Sequence, residues 1–116
     1  MIERDTARLR EILWFCAGLD ETLERFGYDR ETFLCDRDYY DSVCMKLLQI
    51  GECCNRLSDA FRMKTEHLAT WTGIRGLRNL VVHEYGELDG DLLWEIITED
   101  IPALKQFCEQ TIAENT

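Results

Sequence analysis

The chain has 116 residues, 46% of them hydrophobic and 31% charged, a size and balance that predict one globular domain over residues 1–116 and exclude a disordered chain. Its formal net charge of −10 at pH 7 works against binding a polyanion unless basic groups are gathered in one place. No apolar run approaches the roughly eighteen residues of a membrane span, and the charged start Glu3, Arg4, Asp5 is unlike a signal peptide, so a cytoplasmic protein is expected.

Leu9, Ile12, Cys16, Leu19, Leu23 and Phe26 recur at steps of three and four, the spacing of one face of an α-helix. Gly27 and Tyr28 break the pattern, and residues 29–35 read as a short connector with a helical turn. From Asp36 onward Tyr40, Val43, Leu47, Ile50, Cys54, Leu57 and Phe61 repeat the same spacing, predicting a second helix to about Arg62. A polar connector follows over residues 63–70, then Trp71 and a segment reaching Tyr85. Residues 86–90 read as a break, with Asp89 or Asp91 able to cap the next helix. That helix places Leu92, Leu93, Ile96, Ile97, Ile101, Leu104 and Cys108 on one side, and Pro102 must either kink it or begin a second piece. Long periodic helices joined by short loops, with no strand pattern between them, predict an all-α up-and-down bundle of four to five helices. The six cysteines, at 16, 35, 44, 53, 54 and 108, lack the spacing of a zinc knuckle and read as reduced structural thiols.

Charge is unevenly spread. Residues 1–55 carry 7 basic and 12 acidic groups, residues 84–116 carry 1 and 9, and residues 56–83 hold Arg56, Arg62, Lys64, Arg75 and Arg78 against Asp59 and Glu66. The one basic stretch is therefore where an anionic ligand is expected. If residues 74–85 are helical, with about 100° per residue, Arg75, Arg78, Asn79, His83 and Tyr85 lie within about 80° of one direction. Ile74, Leu77, Leu80 and Val81 lie on the other side, as a core stripe should. Val82 falls inside the polar arc, where a β-branched residue has a use if that face meets another protein.

This grouping suggests chemistry on a phosphodiester. A guanidinium holds a phosphate through a planar fork and offsets the charge of its transition state. An imidazole takes a proton from a ribose 2′-hydroxyl or gives one to the departing 5′-oxygen. One copy of each is thin for both proton transfers, whereas two copies across a two-fold axis supply a second arginine and a second histidine without a metal or other cofactor. A different class stays open: a non-catalytic subunit that binds a nucleotide or substrate for a partner nucleotidyltransferase, which suits the acidic charge. A purely structural bundle fits the clustered polar face less well. His67 has no companion motif and reads as a surface residue.

The run R-N-L-V-V-H-E-Y, Arg78 to Tyr85, resembles the Arg-x4-6-His motif of HEPN domains, in the Arg-x4-His-x-Tyr form of the HepT-like toxins. The likeness extends to Phe33, Leu34 and Asp36, to Ile50, Gly51 and Glu52, to Trp71 before Gly76-Leu77-Arg78-Asn79, and to Trp94 with Ile101-Pro102. Thr70 departs from it, at a loop position where the family often has proline. The resemblance implies a HEPN-like bundle that pairs into a homodimer through its Arg-x4-His faces, with higher oligomers open. It also implies an endoribonuclease toxin acting on RNA, restrained by a cognate minimal nucleotidyltransferase (MntA-like) antitoxin that transfers AMP to a tyrosine. Carried onto this chain, Arg78 and His83 are catalytic, Asn79 supports the site and Tyr85 is the residue modified by AMPylation. Arg75 is assigned phosphate contact only, and Glu52 matches the family without a role that its chemistry supplies.

Overall fold

A computed structural model of the chain describes residues 3–67 and 89–115. Helix α1 (Glu3–Arg25) is followed by α2 (Arg30–Cys35), α3 (Arg37–Asn55) and α4 (Asp59–Thr65). Beyond the undescribed stretch, α5 (Gly90–Glu95) runs through a π-helical turn (Ile96–Asp100) into α6 (Ile101–Glu114). With that last run taken as one element the described residues form five helices and no strand, in agreement with the all-α bundle expected.

The two stripes read from the sequence are the core. Leu9, Ile12, Cys16 and Leu19 of α1 and Val43, Leu47, Ile50 and Cys54 of α3 are fully buried, and each large aliphatic side chain so removed from water contributes about 1.5–3 kcal/mol. α1 and α3 are antiparallel: Asp5 meets Ser58, Glu11 meets Cys53 and Thr22 meets Ser42. α6 crosses back along α1, where Lys105 pairs with Asp20 at 3.1 Å and Cys108 lies beside Cys16. Leu93, Ile97, Ile101 and Leu104 close the core from that side. Tyr39, rather than the expected Tyr40, is the fully buried ring of α3, and Tyr40 is only half-buried.

Turns follow their local chemistry. α1 ends in a Schellman motif, with Tyr28 N–H donating to the Leu23 carbonyl (2.9 Å) and Gly27 N–H to that of Glu24 (3.0 Å). Gly27 sits at φ +74°, the left-handed region where a Cβ is penalised. Asp29 caps α2 by accepting from Thr32 N–H. Asp36 ends α2 through its own N–H and caps α3 by accepting from Tyr39 N–H at 3.0 Å. Of the two caps expected for the last helix, Asp89 is the one used; its carboxylate accepts from Asp91 and Leu92 N–H.

Three expectations are corrected. The second long helix does not run to Arg62 but stops at Asn55, and α4 restarts after Ser58, which turns extended at φ −65°, ψ 150° and caps the new helix. The connector expected from residue 63 accordingly begins later, since α4 continues to Thr65. Pro102 takes the second of its two expected roles and stands in the first turn of a new piece, α6. The π turn immediately before it, where Ile101 N–H reaches back to the Ile96 carbonyl, widens the helix by a residue and carries the chain into α6 with proline in the first turn. Leu92, placed on the apolar side, is 46% exposed.

Candidate functional site

The residues that carry the chemistry of the sequence reading, Arg75, Arg78, Asn79, His83 and Tyr85, lie outside the described residues, as do Trp71 and Val82. The described structure gives the frame on either side of them. Upstream is the corner between α3 and α4. Asp5, 1% exposed, accepts from both Ser58 N–H and Ser58 Oγ–H at 2.8 Å, and Ser58 Oγ in turn accepts from Phe61 N–H at 3.2 Å. Downstream, α5 is tied to α2 by an ion pair between Arg30 and Asp91 and by Leu34 packed over Gly90.

The basic stretch of residues 56–83 is less available to an anion than its composition suggests. Arg62 turns back onto the end of α3, where Nη1 donates to the carbonyls of Cys54 (3.3 Å), Asn55 (3.2 Å) and Leu57 (2.6 Å), while Nη2 pairs with Asp59. With its side chain 12% exposed, it is a C-terminal cap for α3. Arg56 is turned toward Glu52, 4.0 Å away, which gives Glu52 a place on the outer face of α3. Lys64 and His67 are exposed. Sequence reasoning missed Asp5 and Arg62 because their partners are set by the tertiary corner and by a helix end that periodicity hides.

Two hollows are present among the described residues. One, of about 360 Å³, lies between α1 and α3 and is lined by Trp14, Phe15, Gly18, Met45, Lys46 and Gln49 among others. The second, of about 400 Å³, is bordered by Asp29, Glu31, Thr32, Cys35 and Asp36, an acidic rim that repels phosphate. Neither brings a histidine beside an arginine. The cysteines behave as structural thiols: all six are unpaired, and all but Cys35 are buried. Burial pushes the Cys16 thiol up to about 12 and those of Cys44 and Cys53 to about 11, too high for a nucleophile at neutral pH.

Comparison with known proteins then decides the family. A family model described as Ribonuclease HepT-like matches residues 4–111. The chain belongs to the HepT-like ribonuclease family. Among its relatives, a candidate RNase of Methanocaldococcus jannaschii is 33% identical over 86 residues, 66% of this chain and 78% of that protein. Another, from Caldanaerobacter subterraneus subsp. tengcongensis, is 32% identical over 98 residues, 84% of this chain and 85% of its own. A third, named as a ribonuclease HepT of Thermococcus cleftensis, is 32% identical over 75 residues, covering 65% of this chain and 67% of the relative. No solved structure matches significantly. This HepT-like chain is thus an enzyme of the ribonuclease class, as R-N-L-V-V-H-E-Y led one to expect, and the family match runs through that segment.

Proposed function

We propose that this protein is the toxin ribonuclease of a toxin–antitoxin pair, a single-domain homodimer that cleaves RNA at a composite site formed by Arg78 and His83 of both copies. The observation that carries the reading is the family match over residues 4–111, which contains an intact Arg-x4-His-x-Tyr run. In this mechanism the Arg78 guanidinium grips the scissile phosphate in its fork. One His83 takes the proton of the ribose 2′-hydroxyl, whose oxygen attacks phosphorus. The P–O5′ bond breaks, leaving a 2′,3′-cyclic phosphate, and the His83 of the other copy protonates the departing 5′-oxygen. Asn79 supports the site, Arg75 contacts a neighbouring phosphate, and Val82 belongs to the pairing face. No metal is needed for either proton transfer.

Control is assigned to Tyr85. Its phenol oxygen attacks the α-phosphorus of ATP on a cognate nucleotidyltransferase, pyrophosphate leaves, and the AMP so attached sets a phosphate beside Arg78. That phosphate competes for the guanidinium fork and repels incoming RNA. The test is cleavage of RNA in EDTA by wild type, His83→Ala and Tyr85→Phe, each with and without the nucleotidyltransferase and ATP. His83→Ala should lose about 10²–10⁴-fold in rate with its fold intact. Tyr85→Phe should cleave but escape silencing. Cleavage that needs magnesium, or a Tyr85→Phe protein still silenced by nucleotide transfer, would refute the assignment.

A further inference from the structure

We infer that the hollow between α1 and α3 is a binding site for one unpaired base of the RNA substrate, with Trp14 as its stacking platform; the inference rests on the ribonuclease reading above. Trp14 on α1 is 72% exposed and Met45 on α3 is 56% exposed, and both line the same hollow of about 360 Å³. A single exposed apolar side chain needs no explanation. An indole and a thioether left bare around one concavity do, because such surface is what small ligands cover. The volume is at the small end of the roughly 300–1,000 Å³ of small-molecule clefts, and suits one planar group better than a helix about 10 Å across. Phe15 meets Trp14 edge-on, with ring centroids 5.1 Å apart and planes at 83°. The two rings therefore do not stack on each other, and the braced indole keeps open surface on which a base can lie.

The polar groups around the hollow fit a nucleotide. Lys46 lays its stem along the bare backbone of Gly18, where a Cβ would stand 3.4 Å from Lys46 Cε. Its Nζ donates to Ser42 Oγ at 2.8 Å, which uses one of three ammonium protons and leaves the charge to face a phosphate. Arg10, exposed and one turn before Trp14 on α1, puts a second cation on the other side of the indole. Gln49 brings an amide, donor and acceptor both, for a base edge; its nitrogen reaches the Met45 sulfur at 4.0 Å, a weak contact that a base displaces. Glu21, also on the lining, repels phosphate but accepts from an exocyclic amino group. It thus directs the phosphate toward Lys46 and favours a base with an amino group over uracil. The same charges argue against a protein segment as the occupant, since the cores of protein interfaces are depleted of charge. Stacking on an aromatic face needs no long-range attraction, so it is open to a chain with a net charge of −10.

The experiment uses the full chain and short 2′-O-methyl oligonucleotides, which lack the attacking hydroxyl and survive the measurement. Fluorescence anisotropy gives the affinity of wild type, Trp14→Ala, Trp14→Phe and Glu21→Ala for oligocytidylate, oligouridylate and an abasic strand of equal length. Trp14→Ala should bind oligocytidylate about tenfold or more weakly. Trp14→Phe keeps a ring to stack on and should recover most of that loss. The abasic strand should bind wild type more weakly than oligocytidylate and be indifferent to Trp14→Ala. Wild type should prefer oligocytidylate to oligouridylate, and Glu21→Ala should narrow the preference. In cleavage of unmodified RNA, Trp14→Ala should raise KM with kcat nearly unchanged, the mark of an interaction equal in ground and transition states. Unchanged affinity of Trp14→Ala for oligocytidylate, or an equal loss on the abasic strand, overturns the inference. A smaller oligomer in Trp14→Ala with RNA affinity unchanged overturns it too, and assigns the hollow to a protein contact. Wild-type indifference between oligocytidylate and oligouridylate overturns the role given to Glu21. Should wild type bind oligocytidylate through Trp14 yet cleave no RNA, the hollow stands and the ribonuclease reading falls.

Discussion

Tyr39 combines full burial with a hydroxyl that finds no hydrogen-bond partner among the described residues. Its ring is well used, stacked on Phe26 at 4.3 Å and edge-on to Phe33 at 5.5 Å. The hydroxyl alone is a burden, since an unpaired buried polar group costs about 1–3 kcal/mol. Tyr39→Phe should therefore raise stability by about 1 kcal/mol in urea unfolding, and a loss of that size would show that the hydroxyl is bonded after all. The thiols make a second prediction, of pH dependence. Burial raises Cys16 to about 12 and Cys44 and Cys53 to about 11 from an ordinary 9.0, and raises Cys54 and Cys108 further. A thiol that holds its proton in the fold and loses it when unfolded stabilises fully below the unfolded value and progressively less above it. Each one contributes a slope of about 1.4 kcal/mol per pH unit once only the unfolded chain is ionised. The urea midpoint should be level up to about pH 8 and fall steeply between pH 9 and 11. A midpoint that stays level through that window would contradict the burial of these groups. Exposed Cys35 should be the one thiol that a disulfide reagent reaches before unfolding.

How much was legible in the sequence depended on whether the cause was local. The stripes of α1 and α3 were readable because burial of Leu9, Ile12, Leu47 and Ile50 imposes a period that neighbours in the chain display themselves. So was the N-cap at Asp89, where the aspartate serves amides two and three residues on. The break between α3 and α4 was not readable. Leu57 and Phe61 keep the apolar rhythm straight through it, while the force that turns the chain at Ser58 is a carboxylate on the first turn of α1. Arg62 misled for a related reason: counted as free positive charge, it is spent on α3 carbonyls that any helix end leaves unsatisfied. The π turn hid because a one-residue widening leaves Ile97, Ile101 and Leu104 still buried. For the candidate site the motif was legible as spacing alone. Arg78, Asn79, His83 and Tyr85 fall on one arc of a projected helix, and their geometry lies outside the described residues.

For the molecule as a whole, the difficulty is a nuclease with a net charge of −10. Long-range attraction does not bring RNA to such a surface, so the site must hold phosphate by concentrated local contacts. The proposed pairing of two chains would achieve this, since a two-fold axis through the Arg78 and His83 faces would double the local guanidinium groups and supply separate imidazoles for the base and acid steps. That arrangement has a consequence that mixing subunits reads directly. In a dimer with one His83→Ala chain a single imidazole remains, so one proton transfer has no partner and the dimer should be nearly as slow as the fully substituted one. When wild-type and His83→Ala chains are refolded together, only dimers of two wild-type chains should cleave, and activity should follow the square of the wild-type fraction. At equal proportions about a quarter of the dimers are fully wild type, against the half of activity retained if each chain acts by itself. Tagged heterodimers isolated from such a mixture give the same comparison without averaging. A linear fall with wild-type fraction, or a heterodimer with half the wild-type rate, would show each chain to hold a complete site and would end the composite mechanism.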